Sequence, residues 1–204
     1  FKPFVYAAAL DNGYTPSTIV LDAPIEINQG PGMPVWAPEN YAKKFYGPQT
    51  LRFGLEQSRN VMTVRLAQDV GMPIVAEYAK RFGIYDDMLP VLSMSLGAGE
   101  TTLMRMAGAY AMIANGGRKV TPSLIDRIQD RFGHTIYRHD ERECIGCDAK
   151  NWQNQPEPTL IDRRPVVLDP MTSYQITEMM EGVVQRGTGT ALKEVGKPIA
   201  GTTG

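Results

Sequence analysis

The sequence lacks a surplus of either charge. It carries 21 lysines and arginines against 22 aspartates and glutamates, which leaves a formal net charge of -1. No block of lysine or arginine stands out along the chain. A protein that binds a phosphate backbone needs clustered positive charge to neutralise it. The composition therefore argues against nucleic acid as a partner.

Long apolar runs and an N-terminal targeting pattern are also missing. The longest apolar stretch, Phe4 to Leu10, is far shorter than the roughly 20 residues that cross a bilayer. The chain does not open on methionine, and its start has no signal-peptide pattern. We expect a soluble segment cut from a longer protein, so that any anchor or targeting signal of the parent lies outside it.

What the sequence does have is the composition of a folded domain. Hydrophobic residues make up 43% and charged residues 21% of its 204 positions, enough for the core of one domain or part of one. Apolar periodicity, interrupted at Gly, Pro and Asn, predicts both α-helices and short β-strands. The fold class expected is α/β (α+β). The helices are expected at 1–10, 50–57, 61–70, 73–82, 101–115 and 170–185, and the strands at 18–21, 125–130, 135–137 and 198–204.

Two helix starts and one helix face are predicted in more detail. Asn60 is placed to cap the helix at 61–70, and Asp169 is placed to cap the helix at 170–185. In the segment 101–115, apolar residues recur at helical spacing, which predicts one buried face. These residues are Leu103, Met106, Ala107, Tyr110, Ile113 and Ala114.

Three short patterns carry candidate chemistry. Lys2 fits the lysine of S-x-x-K, in which a neutral amine one helical turn from a serine takes the hydroxyl proton; that serine would lie two residues before Phe1. Ser58-Arg59-Asn60 is an S-x-N pattern, and Thr202-Thr203-Gly204 is close to K-T-G. Each is weak alone. S-x-N occurs by chance in roughly half of chains this long, an isolated lysine is usually solvated, and a Gly-Thr turn needs no function.

The order and surroundings of these patterns give them weight, because together they resemble one family along nearly the whole chain. The chain resembles the transpeptidase domain of class A, bifunctional penicillin-binding proteins. Besides the three patterns, the resembling stretches are Phe1–Tyr6, Gly47-Pro48, Thr50–Arg52, Val64–Leu66, Ser95–Glu100, Ala109–Ala111, Ala114–Gly117 and Gly182–Gly189. Only the polar stretch from His139 to Pro165 has no assigned counterpart.

The resemblance implies a fold and a cellular setting. The fold would be the penicillin-binding protein/serine β-lactamase-like transpeptidase fold, a helical cluster beside an antiparallel sheet, incomplete because its closing strands lie mostly past Gly204. Residues 1–204 would form a partial transpeptidase domain with a polar surface insertion at about 139–165. The parent would be a membrane-anchored cell-wall synthase on the periplasmic side of the bacterial inner membrane, with a glycosyltransferase domain upstream.

The resemblance also implies a chemistry and its partners. The serine before Phe1 would attack the terminal D-Ala-D-Ala of a peptidoglycan stem peptide with Lys2 as general base. Ser58 would relay a proton to the departing D-alanine, and Asn60 would hydrogen-bond the substrate amide. Thr202, Thr203 and Gly204 would line the substrate as an edge strand. β-Lactam antibiotics would acylate the same serine, and the chemistry calls for no cofactor and no metal.

One departure from the family pattern concerns the third motif. Where the family has Lys-Thr-Gly, this chain has Thr202-Thr203-Gly204. The motif lysine would place positive charge near the substrate carboxylate and, by repulsion, help to keep the Lys2 amine neutral. Thr202 can donate a hydrogen bond but supplies no charge. Either hydroxyl donors do this work here, or the site is weakened.

The two cysteines allow more than one interpretation. Cys144 and Cys147 form a C-x-x-C pattern, and His134 and His139 precede them closely. A four-ligand zinc site is possible in principle, although the spacing matches no strong zinc pattern. If the domain lies outside the cytoplasm, as the resemblance implies, a local disulfide in a polar loop is the simpler account.

Two rival functions remain open at this stage. A serine β-lactamase or D,D-carboxypeptidase would share the acyl-enzyme but pass the acyl group to water instead of an amine. A non-catalytic scaffold would keep a peptidoglycan-binding groove without the chemistry, and Thr202 is the one feature that favours it. The residue two positions before Phe1 discriminates, because anything other than serine there supports the scaffold.

Overall fold

The structure is a computed structural model that describes residues 1–203. Its helices are α1 (Lys2–Asp11), α2 (Leu51–Glu56), α3 (Asn60–Val70), α4 (Met72–Arg81), α5 (Leu103–Ala114) and α6 (Pro170–Arg186), with 3₁₀ turns at Leu92–Leu96 and Thr190–Val195. The strands are β1 (Ile19–Asp22), β2 (Gly47–Thr50), β3 (Arg127–Gln129), β4 (Thr135–Arg138), β5 (Glu143–Ile145) and β6 (Thr159–Ile161).

Helix α1 forms the centre of the molecule. Every residue from Pro3 to Leu10 is buried, as expected for a helix that is apolar on all sides. It packs against α3, α4 and α6, and the Phe4 ring meets the edges of Phe82 and Tyr110 with centroids 5.2 Å apart in both pairs. This burial fixes the first turn of α1, which carries Lys2, relative to the surrounding helices.

Most helix boundaries agree with the sequence patterns, and the Asp169 cap is confirmed. Its carboxylate accepts from the backbone N–H groups of Met171 and Thr172, with Pro170 as the first helical residue. The cap predicted at Asn60 is wrong. Asn60 lies inside α3, and the side chain of Asn40 accepts a hydrogen bond from Val61 N at 3.2 Å instead. A distant side chain thus satisfies a backbone donor that the local residue leaves open.

The predicted buried face of α5 is only partly correct. Ile113 is buried and Met106 and Tyr110 are half-buried, but Leu103 is 87% exposed. Ala107 and Ala114 are also exposed. The helix packs against α6 through a neighbouring stripe, and its buried residues are Gly108, Ala109, Met112 and Ile113. The buried face is therefore rotated relative to the most apolar one.

The strands form three small antiparallel sheets, which confirms a mixed fold of helices and antiparallel strands. β1 pairs with β2, the strands predicted at 125–130 and 135–137 pair with each other as β3 and β4, and β5 pairs with β6. The strand predicted at 198–204 is wrong for the described residues 198–203, where no ladder forms. Gly201 N instead donates to Met180 O of α6 at 3.2 Å. A strand needs a neighbouring strand to pair with, and none lies here within residues 1–203.

The segment 139–165 is an exposed excursion built around the β5–β6 hairpin. Cys144 and Cys147 are joined by a disulfide with their Cα atoms 5.6 Å apart. Two Asp-x-Arg pairs flank the hairpin: Arg142 binds Asp140 before β5, and Arg164 binds Asp162 after β6. These local pairs hold the chain at the base of the hairpin, away from the helical core.

Close packing between α2 and α6 accounts for the Arg-Gly-Thr sequence at the C-terminal end of α6. Arg186 donates to both carboxylate oxygens of Glu56, at 2.9 and 2.5 Å, and Thr188 N donates to Glu56 O at 3.1 Å. A Cβ atom on Gly187 would lie 2.1 Å from Glu56 O, a backbone atom that cannot move alone. Glycine is therefore the residue that fits at this contact.

We expect Gly187→Ala to lower the free energy of unfolding by about 1–3 kcal/mol, the usual cost of overpacking, measured by urea unfolding. Gly201→Ala is the matched control, because a Cβ there meets no atom within 4 Å. Equal midpoints for the two variants would show that the α2–α6 contact is looser than the structure has it.

Candidate active site

The candidate site begins where the first turn of α1 meets the connection between α2 and α3. Lys2 Nζ donates to Ser58 Oγ at 2.9 Å and to the backbone oxygen of Ser58 at 2.8 Å. Both residues are half-buried. An amine and a hydroxyl in direct contact, 56 residues apart in sequence, form a pair through which a proton can pass.

The amine of Lys2 is prepared for proton transfer. Burial, and then the positive charge of Arg59, lower the pKa of Lys2 from 10.5 to about 8. A general base is most effective when its pKa lies near the working pH, because it is then often unprotonated yet still basic. The site thus provides a lysine that can accept a proton under mildly alkaline conditions.

Ser58 itself is held in an unusual backbone conformation. Its φ of 52° lies in the left-handed region, which non-glycine residues seldom adopt and which costs about 1–3 kcal/mol when the surroundings impose it. The backbone N–H of Arg59 donates to Gly54 O at 2.8 Å, which fixes the turn from α2 into α3. In this conformation the Ser58 hydroxyl is in contact with Lys2.

The side chain of Asn60 is bonded to the chain through one of its two polar groups. Its side-chain amide donates to Glu39 O at 2.9 Å, so that the donor half of the amide is occupied by the chain itself. Its carbonyl oxygen makes no hydrogen bond to residues 1–203 and can accept one from a ligand N–H.

The C-terminal threonines reach the same place. Ser58 Oγ donates to Thr203 O at 3.3 Å, and the hydroxyls of Thr203 and Thr188 are 2.6 Å apart. The Thr202 hydroxyl contacts Thr203 O at 3.4 Å. Gly204, the last residue of the third pattern, lies outside the described residues. Parts of all three sequence patterns thus meet at Ser58.

Comparison with known proteins identifies the family. A model of the penicillin-binding protein transpeptidase domain matches residues 1–204. The chain belongs to this transpeptidase family. A protein of Rickettsia conorii named penicillin-binding protein 1A is 50% identical over 205 residues, which cover all of this chain and 26% of the relative. The protein of the same name from Neisseria meningitidis serogroup A is 38% identical, over all of this chain and 24% of the relative.

Solved structures show the same fold for this transpeptidase domain. The crystal structure of penicillin-binding protein 1A from Haemophilus influenzae superposes with a TM-score of 0.78 at 28% identity, covering 95% of this chain and 31% of that one. The chain spans about a quarter of the length of the curated relatives given above. Within residues 1–203, no helix of the domain combines the length and apolar character that a membrane crossing requires.

The two histidines of the candidate zinc site make hydrogen bonds of their own, away from the two cysteines. His134 Nδ1 lies 3.0 Å from Asp130, and His139 Nε2 lies 3.0 Å from Thr121 O. The part of the chain that the structure describes holds no group of three or more side chains arranged to bind a metal. The candidate zinc set from the sequence is therefore not assembled in this structure.

Sequence reasoning missed three residues near the site. Thr188 lies in a stretch that carries the family resemblance but has no role assigned to it from the sequence, and Asn40 and Asp22 belong to no motif. Asp22 is fully buried beside Arg59. A buried aspartate is rare unless it is paired. The four-residue sequence of β1 does not reveal that Asp22 is buried.

Proposed function

We propose that the protein is a peptidoglycan D,D-transpeptidase that cross-links stem peptides through a serine acyl-enzyme and is a target of β-lactams. The single observation that carries the proposal is the contact of the Lys2 amine with Ser58 Oγ at 2.9 Å, inside a domain of the penicillin-binding family. A lysine with a pKa near 8 beside a hydroxyl suits acyl transfer without a metal or a cofactor.

The proposed acylation step involves one bond formed and one broken. The serine two residues before Phe1 attacks the carbonyl carbon of the penultimate D-alanine, and Lys2 Nζ takes the hydroxyl proton. The C–N bond to the terminal D-alanine then breaks, and the proton passes from Lys2 through Ser58 Oγ to the departing amine. The products are an ester on the serine and free D-alanine.

The proposed transfer step regenerates the serine. The amine of a second stem peptide attacks the ester carbonyl, its extra proton returns through Lys2 to the serine oxygen, and a peptide cross-link forms. A β-lactam ring opens in place of the D-Ala-D-Ala bond and leaves an acyl-enzyme that no amine resolves.

The remaining site residues are proposed to hold the donor peptide. Asn60 has its carbonyl oxygen available for a substrate N–H, while its amide stays bound to Glu39 O. Thr203, beside Thr188, and Gly204 would line the substrate along an extended edge. Thr202 would replace the motif lysine as a hydroxyl donor to the substrate carboxylate.

The setting of the parent protein is also a proposal. Residues 1–204 would be part of one transpeptidase domain, with the excursion at 139–165 as a surface insertion. The parent would be anchored in the inner membrane with this domain on the periplasmic side, next to a glycosyltransferase domain. The Cys144–Cys147 disulfide suits such an oxidising compartment.

Two other functions are kept as outcomes of the test. A β-lactamase or D,D-carboxypeptidase would form the same acyl-enzyme and release it to water. A non-catalytic scaffold is favoured by Thr202 alone, which leaves the third motif without its positive charge.

Labelling by a fluorescent penicillin tests the proposal. A longer version of the protein, extended at both ends to the full transpeptidase domain, is expected to be labelled covalently, and the 204-residue chain alone is not, because the family motif places its serine before Phe1. Products from a D-Ala-D-Ala donor and an amine acceptor then separate the enzymes. Cross-linked peptide supports a transpeptidase, and release of the shortened donor alone supports a carboxypeptidase. An extended protein that takes no label supports the scaffold.

A further inference from the structure

A buried ion pair lies behind the Ser58-Arg59-Asn60 turn. The Arg59 side chain is 8% exposed and that of Asp22 is 0% exposed, and Arg59 donates to Asp22 Oδ2 from Nε at 3.0 Å and from Nη2 at 2.9 Å. A buried pair of this kind adds little stability compared with apolar residues of similar size. Its position directly next to Ser58 therefore suggests a role in the site.

The loop at 39–46 completes the hydrogen bonding of the pair. Asn40 donates to Asp22 Oδ1 at 2.7 Å, the backbone N–H of Tyr46 donates to Asp22 Oδ2 at 3.2 Å, and Arg59 donates to Lys44 O. The Arg59 guanidinium also stacks over the Tyr46 ring at 4.7 Å. Both carboxylate oxygens of Asp22 and the Nε and Nη2 groups of Arg59 are thus hydrogen-bonded, which offsets the cost of burying the two charges.

The same loop holds the residues after Arg59, whereas α2 holds Ser58 itself, whose backbone N–H donates to Leu55 O at 3.0 Å. Asn40 accepts from Val61 N, and Asn60 donates to Glu39 O. The Arg59 backbone N–H is bound to Gly54 O. The backbone on either side of Ser58 is therefore clamped, and the clamp stabilises the left-handed conformation that turns its hydroxyl toward Lys2.

Arg59, the positively charged member of the pair, is the one that acts on Lys2. Arg59 lowers the pKa of Lys2 by charge repulsion, whereas Asp22 makes no comparable contribution. The other charged group beside Lys2 is the Phe1 amino group, which becomes an uncharged amide in a longer chain. Arg59 is then the charge on residues 1–203 that acts on the Lys2 amine. Thr202 supplies none.

We propose that Arg59 is a positioning residue of this site, which holds Ser58 in place and supplies a second positive charge beside Lys2. The inference rests on the proposed function. The residue acts through Lys2 and Ser58 and need not touch the substrate. The charge of Arg59 explains how Lys2 can be kept neutral although the third motif has threonine at position 202.

The test uses the full-length protein and reads Lys2 in two ways. The pKa of Lys2 is measured by competitive labelling with acetic anhydride, which needs no activity, and the pH dependence of acylation by a fluorescent penicillin is measured beside it. The variants are Arg59→Met, Asp22→Asn and Arg59→Met/Thr202→Lys, with urea unfolding of each.

We expect the Lys2 pKa to shift in Arg59→Met but not in Asp22→Asn. Arg59→Met removes a like charge and should raise the Lys2 pKa, and with it the rising limb of the acylation profile, by about half a pH unit or more. Asp22→Asn leaves the Arg59 charge in place but weakens its hold on the turn, so it should slow acylation and leave the Lys2 pKa unchanged. The added lysine in Arg59→Met/Thr202→Lys should move both back toward the wild-type position.

An Arg59→Met protein with lower stability and slower acylation but an unmoved Lys2 pKa would overturn the inference. A purely structural role would lower the acylation rate without moving the rising limb of its pH dependence. If Arg59→Met does not fold, Arg59→Gln takes its place, because a neutral amide can still donate to Asp22, and an unmoved Lys2 pKa in that variant would contradict the inference. A wild-type protein that is never acylated, but in which the labelled Lys2 shifts as expected, would refute the proposed function and leave the electrostatic role of Arg59 supported.

Discussion

Replacing Lys2 with alanine is expected to slow acylation by a β-lactam by about 10³- to 10⁴-fold in the full-length protein, the upper range for loss of a general base. The structure gives the reason. Lys2 is the amine in contact with Ser58 Oγ, and burial together with Arg59 lowers its pKa to about 8. Lys2→Arg should lose as much, because a guanidinium keeps the charge and the donors but cannot take a proton.

The rate should fall without loss of the fold. Keeping the Lys2 charge partly buried disfavours the folded state, as its lowered pKa indicates, so we expect the free energy of unfolding of Lys2→Ala to equal or exceed that of the wild type. Lys80→Ala, at an exposed position in the last turn of α4, is the matched control and should be acylated at the wild-type rate. Acylation of Lys2→Ala within tenfold of the wild type would refute the assignment of Lys2 as the base.

Replacing Ser58 with glycine is expected to change rate and stability in opposite directions. Loss of the hydroxyl removes the proton relay between Lys2 and the leaving group and should slow acylation about 10²- to 10³-fold. Glycine adopts the φ of 52° found at this position without steric cost, so the free energy of unfolding should rise or stay the same.

The matched control for Ser58→Gly is Asn154→Gly. Asn154 also has a positive φ, 60°, but lies in the excursion at 139–165, and its replacement should leave acylation unchanged. Second-order acylation rates and urea unfolding are measured for both variants. A Ser58→Gly protein that acylates normally would exclude the hydroxyl from the reaction. One that is strongly destabilised would show that Ser58 serves the fold first.

Local sequence patterns were sufficient for most of the helices and for the family. The burial of α1 follows from its apolar run, and the start of α6 follows from the Asp169-Pro170 pair, since both signals lie within a few residues of the structure they specify. The resemblance to the transpeptidase family rested on short stretches spread along the chain, and the match over residues 1–204 agrees with it.

Features that depend on distant partners could not be read from the sequence. The start of α3 is capped by Asn40 and not by Asn60, and the buried stripe of α5 is set by where α6 lies and not by its own most apolar face. The Asp22–Arg59 pair joins residues 37 positions apart. Each of these outcomes is decided by tertiary packing, to which local propensity is only a weak guide.

The candidate site was recognised from its motifs, but its geometry was not. Each of Lys2, Ser58 and Thr203 belongs to a pattern that also has a non-functional explanation. The structure joins the three residues in one chain of hydrogen bonds. Thr188, which contacts Thr203, lies in a stretch that resembles the family, but nothing in the sequence placed it at the site. A contact between side chains far apart in sequence becomes visible only after the helices are packed.

The most direct test of the account is to locate the penicillin adduct in the full-length protein by mass spectrometry after proteolysis. The account predicts one adduct, on a serine two residues before Phe1, which is absent from Lys2→Ala under the same conditions. An adduct on any other residue, or no adduct on the intact wild-type protein, would contradict the assignment of this domain as a serine acyl-transfer enzyme.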